Sequence, residues 1–134
     1  DYLKTRRQFG VPLASFQVLR HRLVDMAMAL EQSRSITCML TAAVDDPAAN
    51  SRTGASAAKA AVGQRGRYVG AEALHLHGAI GMTDEMPLGD YFKRLIMIDT
   101  TFGDAHHHRA AFARSVDNNN SPVSGTTDPV EDAS

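Results

Sequence analysis

A chain of 134 residues with 43% apolar side chains has the size of one domain and can supply a modest core. Fourteen basic residues against fifteen acidic ones, a formal charge of −1, exclude a general electrostatic attraction to nucleic acid. A single cysteine, Cys38, excludes an internal disulfide and suits a reducing compartment, so a cytoplasmic location is expected.

The opening DYLKTRRQF has helical composition and no initiator methionine. It is expected to be the end of a helix in a longer polypeptide, closed by Gly10 and the extended pair Val11 and Pro12. Ser15 can cap the next helix, whose positions Phe16, Leu19, Leu23, Met26 and Leu30 advance by three or four. Asp45, Asp46 and Pro47 stop it. A second long helix is expected from Ser51 or Thr53 to about Leu76. Its alanines, with Gly63, Gly66 and Gly70, make it narrow, so a neighbour can approach closely, while internal glycines weaken it.

HGAIGMTDEMP, residues 77–87, reads as a glycine-punctuated turn. A third helix follows over about 88–98, with Tyr91, Leu95 and Ile98 on one face. TTFG breaks it, and Asp104 caps a last helix to about Arg114, with Ala105, Phe112 and Ala113 facing inward. Residues 117–134 carry Asp117, Asp128, Glu131 and Asp132 and no basic residue; this polar, turn-rich tail is expected to be disordered. The expectation is an all-α domain over 1–116. No run is apolar enough to span a bilayer, and strand alternation is absent.

Three stretches can carry chemistry. TRRQFG places Arg6 and Arg7 near a helix end, where forked hydrogen bonds can hold a phosphate; adjacent arginines also read as solvated surface. LHLHGAIG offers Gly78 and Gly81 for close backbone approach, but its spacing does not follow the dinucleotide fingerprint. His75 and His77 diverge on a helix end and make a poor zinc pair. In DAHHHR, successive helical side chains point about 100° apart, so His106, His107 and His108 do not converge on one ion. No metal site is expected.

YLKTRRQFGVPLASFQVLRHRLVDMA, residues 2–27, with ALHLHGAIGMTDEMPLGDYFKRL, residues 73–95, resembles the C-terminal helical domain of flavin-dependent acyl-CoA dehydrogenases. The shared features are an arginine before a Phe-Gly pair, a Phe-Gln dipeptide, a glycine turn and a Tyr-x-Arg-like segment, in register. The resemblance implies a four-helix bundle lacking its first helix and FAD held at a subunit interface. It also implies an acyl-CoA substrate, a homo- or hetero-oligomer and an electron-transfer acceptor protein.

Arg6 matches the arginine that reaches the FAD diphosphate, and Gln8 and Phe9 match neighbouring contacts. Gln17 matches a residue near the adenine end. Gly78 and Gly81 match backbone contacts to the adenosine portion, with His75 where glutamine is common and Ala79 where a second glycine is common. His107 matches a flavin-contacting position. The family's catalytic glutamate, which takes the α-proton while the flavin takes hydride from the β-carbon, aligns with Gly103. So the base lies upstream, or the chain is the glutamate-free partner in an α2β2 assembly, or Asp104 substitutes after a one-residue slip. A ligand-free helical interaction domain is the rival class.

Overall fold

The computed structural model describes residues 1–44, 46 and 51–120, and the side chains of all of these except 119 and 120. The expected stops at Asp45 and Pro47 and the tail over 121–134 lie outside the described residues. Helix α1 spans Tyr2–Thr5, and strands β1 (Arg7–Gln8) and β2 (Val11–Pro12) form an antiparallel hairpin. A 3-10 turn, Leu13–Ser15, leads into α2 (Gln17–Val44). Helix α3 is Ser51–His77, a second 3-10 turn is Gly78–Met82, and α4 (Leu88–Thr100) and α5 (Ala105–Asn120) complete the domain.

The all-α architecture is as expected, but the opening differs. The first helix ends at Thr5 because Arg6 is extended (ψ 125°). Phe9 and Gly10 both have positive φ, 54° and 81°, the pattern of a type I′ turn, which matches the twist of paired strands. Two-residue strands are too short for sequence alternation to reveal. Nor does Ser15 cap α2: its hydroxyl donates to the Pro12 carbonyl at 2.6 Å, inside the 3-10 turn.

Helix α3 is the centre of the domain, packing against α2, α4 and α5. Its small residues explain how. Gly63, Gly66 and Gly70 recur at helical spacing and face α4: a methyl at Gly66 would lie 3.5 Å from Leu95, and one at Gly70 would lie 2.7 Å from the Phe92 ring. At Gly63 an added methyl would collide with the Asp99 carboxylate. Asp99, 1% exposed, reaches Arg67 of α3 with Oδ2 at 3.3 Å, while Oδ1 has no protein partner. Lys59 of α3 donates to the carbonyls of Ile98 and Asp99 at 2.6 and 3.1 Å, satisfying acceptors that the end of α4 leaves open.

Facing residues differ in register from the sequence expectation. On α4 the inward side is Phe92, Leu95, Ile96 and Asp99, whereas Tyr91 and Ile98 are exposed. On α2, Leu19, Arg22, Met26, Ala29, Ser33 and Ile36 turn inward, while Leu23 and Leu30 are exposed. On α5, Ala105, His108 and Ala111 turn inward; Phe112 and Ala113 do not. That helix continues to Asn120, six residues past its expected end near Arg114. The physical reason is shared: apolar residues lie on more than one face of each helix, and only the neighbours select a face.

Candidate functional site

One open cleft, about 540 Å³, lies where the hairpin, the start of α2 and the end of α3 meet. Its walls include Tyr2, Arg6, Gln8, Leu19, Arg22 and the run from His75 to Ile80. Five of the nine residues singled out in the sequence therefore come together: Arg6, Gln8, His75, Gly78 and Ala79. The hairpin explains the first two. Arg7 is committed to the turn, its guanidinium donating to the Gly10 carbonyl at 3.1 Å. Arg6 makes no side-chain hydrogen bond or ion pair among the described residues, and it lines the cleft. Adjacent arginines thus divide into a structural one and an available one.

The end of α3 shapes the opposite wall. His77 stacks on Tyr2 (centroids 4.6 Å apart, planes at 21°), and its Nδ1 lies 2.8 Å from the Ala73 carbonyl. A carbonyl only accepts, so Nδ1 carries the proton and Nε2 is left as the acceptor in the neutral ring. Gly78 then takes a positive φ of 65°, and a Cβ there would meet nothing within 4 Å. The α3 backbone ends at the cleft with no side chain screening it at that residue.

Four of the nine do not line the cleft. Phe9 is the hairpin tip, 90% exposed in a left-handed conformation, with its ring edge-on to Phe16 at 6.3 Å. A bulky residue held there stores about 1–3 kcal/mol of strain. Gln17 begins α2 and its Nε2 lies 3.5 Å from a His21 ring nitrogen. Gly81 is buried in the 3-10 turn, where a Cβ would be 2.9 Å from that of His77. There it packs inside the turn. His107 belongs to α5, edge-on to His108 at 5.2 Å.

The segment 102–108 has its own geometry. Phe102 and Gly103 both have positive φ, 62° and 99°, and Phe102 is 92% exposed. A Cβ on Gly103 would lie 2.7 Å from His107 Cδ2 and 3.2 Å from His108 Nε2, so imidazoles occupy the space of any side chain there. Asp104 accepts the backbone N–H of His107 at 2.8 Å, the N-cap contact expected from the sequence. That hydrogen bond, with smaller help from His106, holds the Asp104 carboxyl below its usual range. Among the described residues, no group of three or more His, Cys, Asp or Glu side chains is arranged to hold a metal ion.

Sequence reasoning missed Tyr2, Arg22 and His77. Arg22 had a readable signal: it falls between Leu19 and Met26 on the helix's inward side, and an arginine there calls for a partner. The partner is Glu72, whose Oε2 accepts from Arg22 Nε and Nη2 at 2.7 and 2.6 Å. This contact lowers the Glu72 pKa and raises that of Arg22, in both cases chiefly through the hydrogen bond.

Fold and cleft define an all-α domain with a cationic, glycine-turned wall. The chain belongs to the flavin-dependent acyl-CoA dehydrogenase family: residues 1–116 match the acyl-CoA dehydrogenase C-terminal domain. It is 35% identical over 94 residues to the acyl-CoA dehydrogenase IpdE2 of Mycobacterium tuberculosis, covering 70% of this chain and 28% of that protein. It is 35% identical over 113 residues to the 3-sulfinopropanoyl-CoA desulfinase of Paraburkholderia xenovorans, covering 84% and 29%. Among solved structures, the Tcur3481-Tcur3483 steroid ACAD G363A variant superposes with a TM-score of 0.83 at 31% identity, covering 88% of this chain and 32% of that one. The chain spans less than a third of the length of these curated relatives. FAD is the family's cofactor.

Proposed function

We propose that this chain works within a flavin-dependent enzyme of acyl-CoA thioesters, forming one wall of the site for the diphosphate and adenosine part of FAD. The single observation that carries this is the Arg6 guanidinium, which lines the cleft with no protein partner among the described residues while Arg7 is tied to the turn. A planar guanidinium donates in a fork matched to phosphate oxygens. Gln8 adds an amide donor, and Gly78 leaves room beside the backbone. These groups fit a diphosphate-bearing ligand. Bound there, FAD would supply the hydride acceptor for α,β-dehydrogenation of the thioester.

Within this reading the 100–105 segment does not supply that base. Gly103 has no side chain and the wrong backbone for a glutamate, and Asp104 is committed to capping α5. This favours a chain that completes a flavin site while the carboxylate comes from elsewhere, either earlier in the full-length protein or from a partner subunit in a heteromeric assembly. His107, Phe9 and Gln17 are assigned to flavin and subunit contacts; the exposed Phe9 and Phe102 suit an interface. An electron-transfer protein would reoxidise the flavin.

The test is flavin occupancy of the assembled full-length protein. It is expected to purify yellow, with Arg6→Ala losing most bound FAD and Arg7→Ala retaining more of it. A colourless native protein, or equal occupancy in native and Arg6→Ala forms, refutes the reading in favour of a ligand-free interaction domain.

A further inference from the structure

Behind the cleft, one carboxylate organises two of its basic side chains. Glu72 lies on α3 with a side chain only 16% exposed and does not itself line the cleft. Its Oε2 receives Nε and Nη2 of Arg22, from α2, and its Oε1 lies 3.8 Å from Nδ1 of His75, one turn along α3. Arg22 and His75 both line the cleft that Arg6 enters from the hairpin. Two of the five guanidinium N–H groups of Arg22 are used on Glu72, so three remain.

We infer that Arg22, oriented by Glu72, is a second contact beside Arg6 for the diphosphate of the ligand this cleft takes. The inference rests on the flavin reading and adds to it a binding residue, Arg22, and a positioning residue, Glu72. An unliganded cleft holding two bare arginines suffers like-charge repulsion, and Glu72 relieves it. A guanidinium already pinned through two hydrogen bonds loses less side-chain entropy when a phosphate arrives. And an ion pair serving only to tie α2 to α3 has no need to open onto the cleft, whereas Arg22 lines it and its side chain keeps 37% of its surface exposed. The Arg22 contact also holds the Glu72 carboxyl below its ordinary pKa, chiefly through the hydrogen bond.

The experiment measures dissociation constants of FAD and of ADP, which carries the diphosphate without the flavin, on the assembled full-length protein. Arg22→Met is expected to weaken both by about tenfold to a hundredfold, the scale of a charge-assisted hydrogen bond. It should also make binding less sensitive to salt, because one ionic contact is gone. Arg22→Lys should recover part of the loss, since it restores the charge but not the fork. Glu72→Gln should weaken binding less than Arg22→Met and leave the salt sensitivity intact, since the ligand-facing charge remains. Should Arg22→Met prove too unstable, the double variant Arg22→Met, Glu72→Leu restores apolar packing between the helices and must show the same loss of ADP affinity. Unchanged ADP and FAD affinities in these variants, with only the melting temperature lowered, overturn the inference. If Arg6→Ala still abolishes binding in that case, the flavin reading stands without it; if Arg6→Ala is also silent, both fall.

Discussion

Replacing Gly70 and Gly66 by alanine, one at a time, should move the stability of this domain in opposite directions. Both residues sit inside α3, where alanine is worth about 1 kcal/mol over glycine through lower chain entropy in the unfolded state and better helix propensity. At Gly66 the new methyl would meet Leu95 Cδ2 at 3.5 Å, an ordinary contact, so the full gain of about 1 kcal/mol is expected. At Gly70 it would lie 2.7 Å from Phe92 Cδ2 and 3.1 Å from Leu95 Cδ1, both on α4. Both side chains must give way at once to admit the methyl. Overpacking of this kind costs about 1–3 kcal/mol, which exceeds the propensity gain. The net expectation is a loss of about 1 kcal/mol at Gly70. Hydrogen exchange of α3 and α4 amides in the full-length protein reads the local free energy directly, without requiring the whole protein to unfold in one step. Equal stabilisation by both substitutions would refute the α3–α4 packing described here.

Gly103→Glu should not restore a base. A side chain at φ 99° stores about 1–3 kcal/mol of backbone strain, and its Cβ would collide with the His107 ring. The variant should be destabilised, and His107→Ala should recover the contact part but not the backbone part; full recovery by His107→Ala would show that the backbone is not strained. Asp104 supplies a pH prediction. Its folded pKa is depressed, so its stabilisation of α5 is present at neutral pH, fully so above the ordinary carboxylate range, and is lost as the pH falls through the folded value. Asp104→Asn keeps a capping oxygen without the charge, so the first turn of α5 should lose its acid sensitivity, measured by amide protection between neutral and acid pH. An unaltered acid response in that variant would assign the effect to another group.

The site was half legible. Arg6, Gln8, His75, Gly78 and Ala79 stood in contiguous motifs, and the chain folds so that two such motifs face one another across the cleft. Phe9 and Gly81 belong to the same motifs but lie at a hairpin tip and inside a turn, away from the cleft wall. Sequence could not separate them, because neighbours in a tight turn point in different directions. Arg22 and Glu72 are fifty residues apart, and neither carries a motif. His107 could not be joined to the cleft by spacing, and it does not line it.

By itself the sequence determined the helical class, the two long helices and the narrowness of α3, because apolar spacing and small side chains are local properties. Asp104 as a helix cap was equally local. Tertiary structure alone decided which face of α2, α4 and α5 is buried, since several faces are apolar enough and only packing against α3 selects one. It also decided that Arg6 is available while Arg7 is spent on a turn. The hairpin that separates them is two residues long on each side, and its Phe-Gly turn is held by contacts rather than by any periodic pattern in the chain.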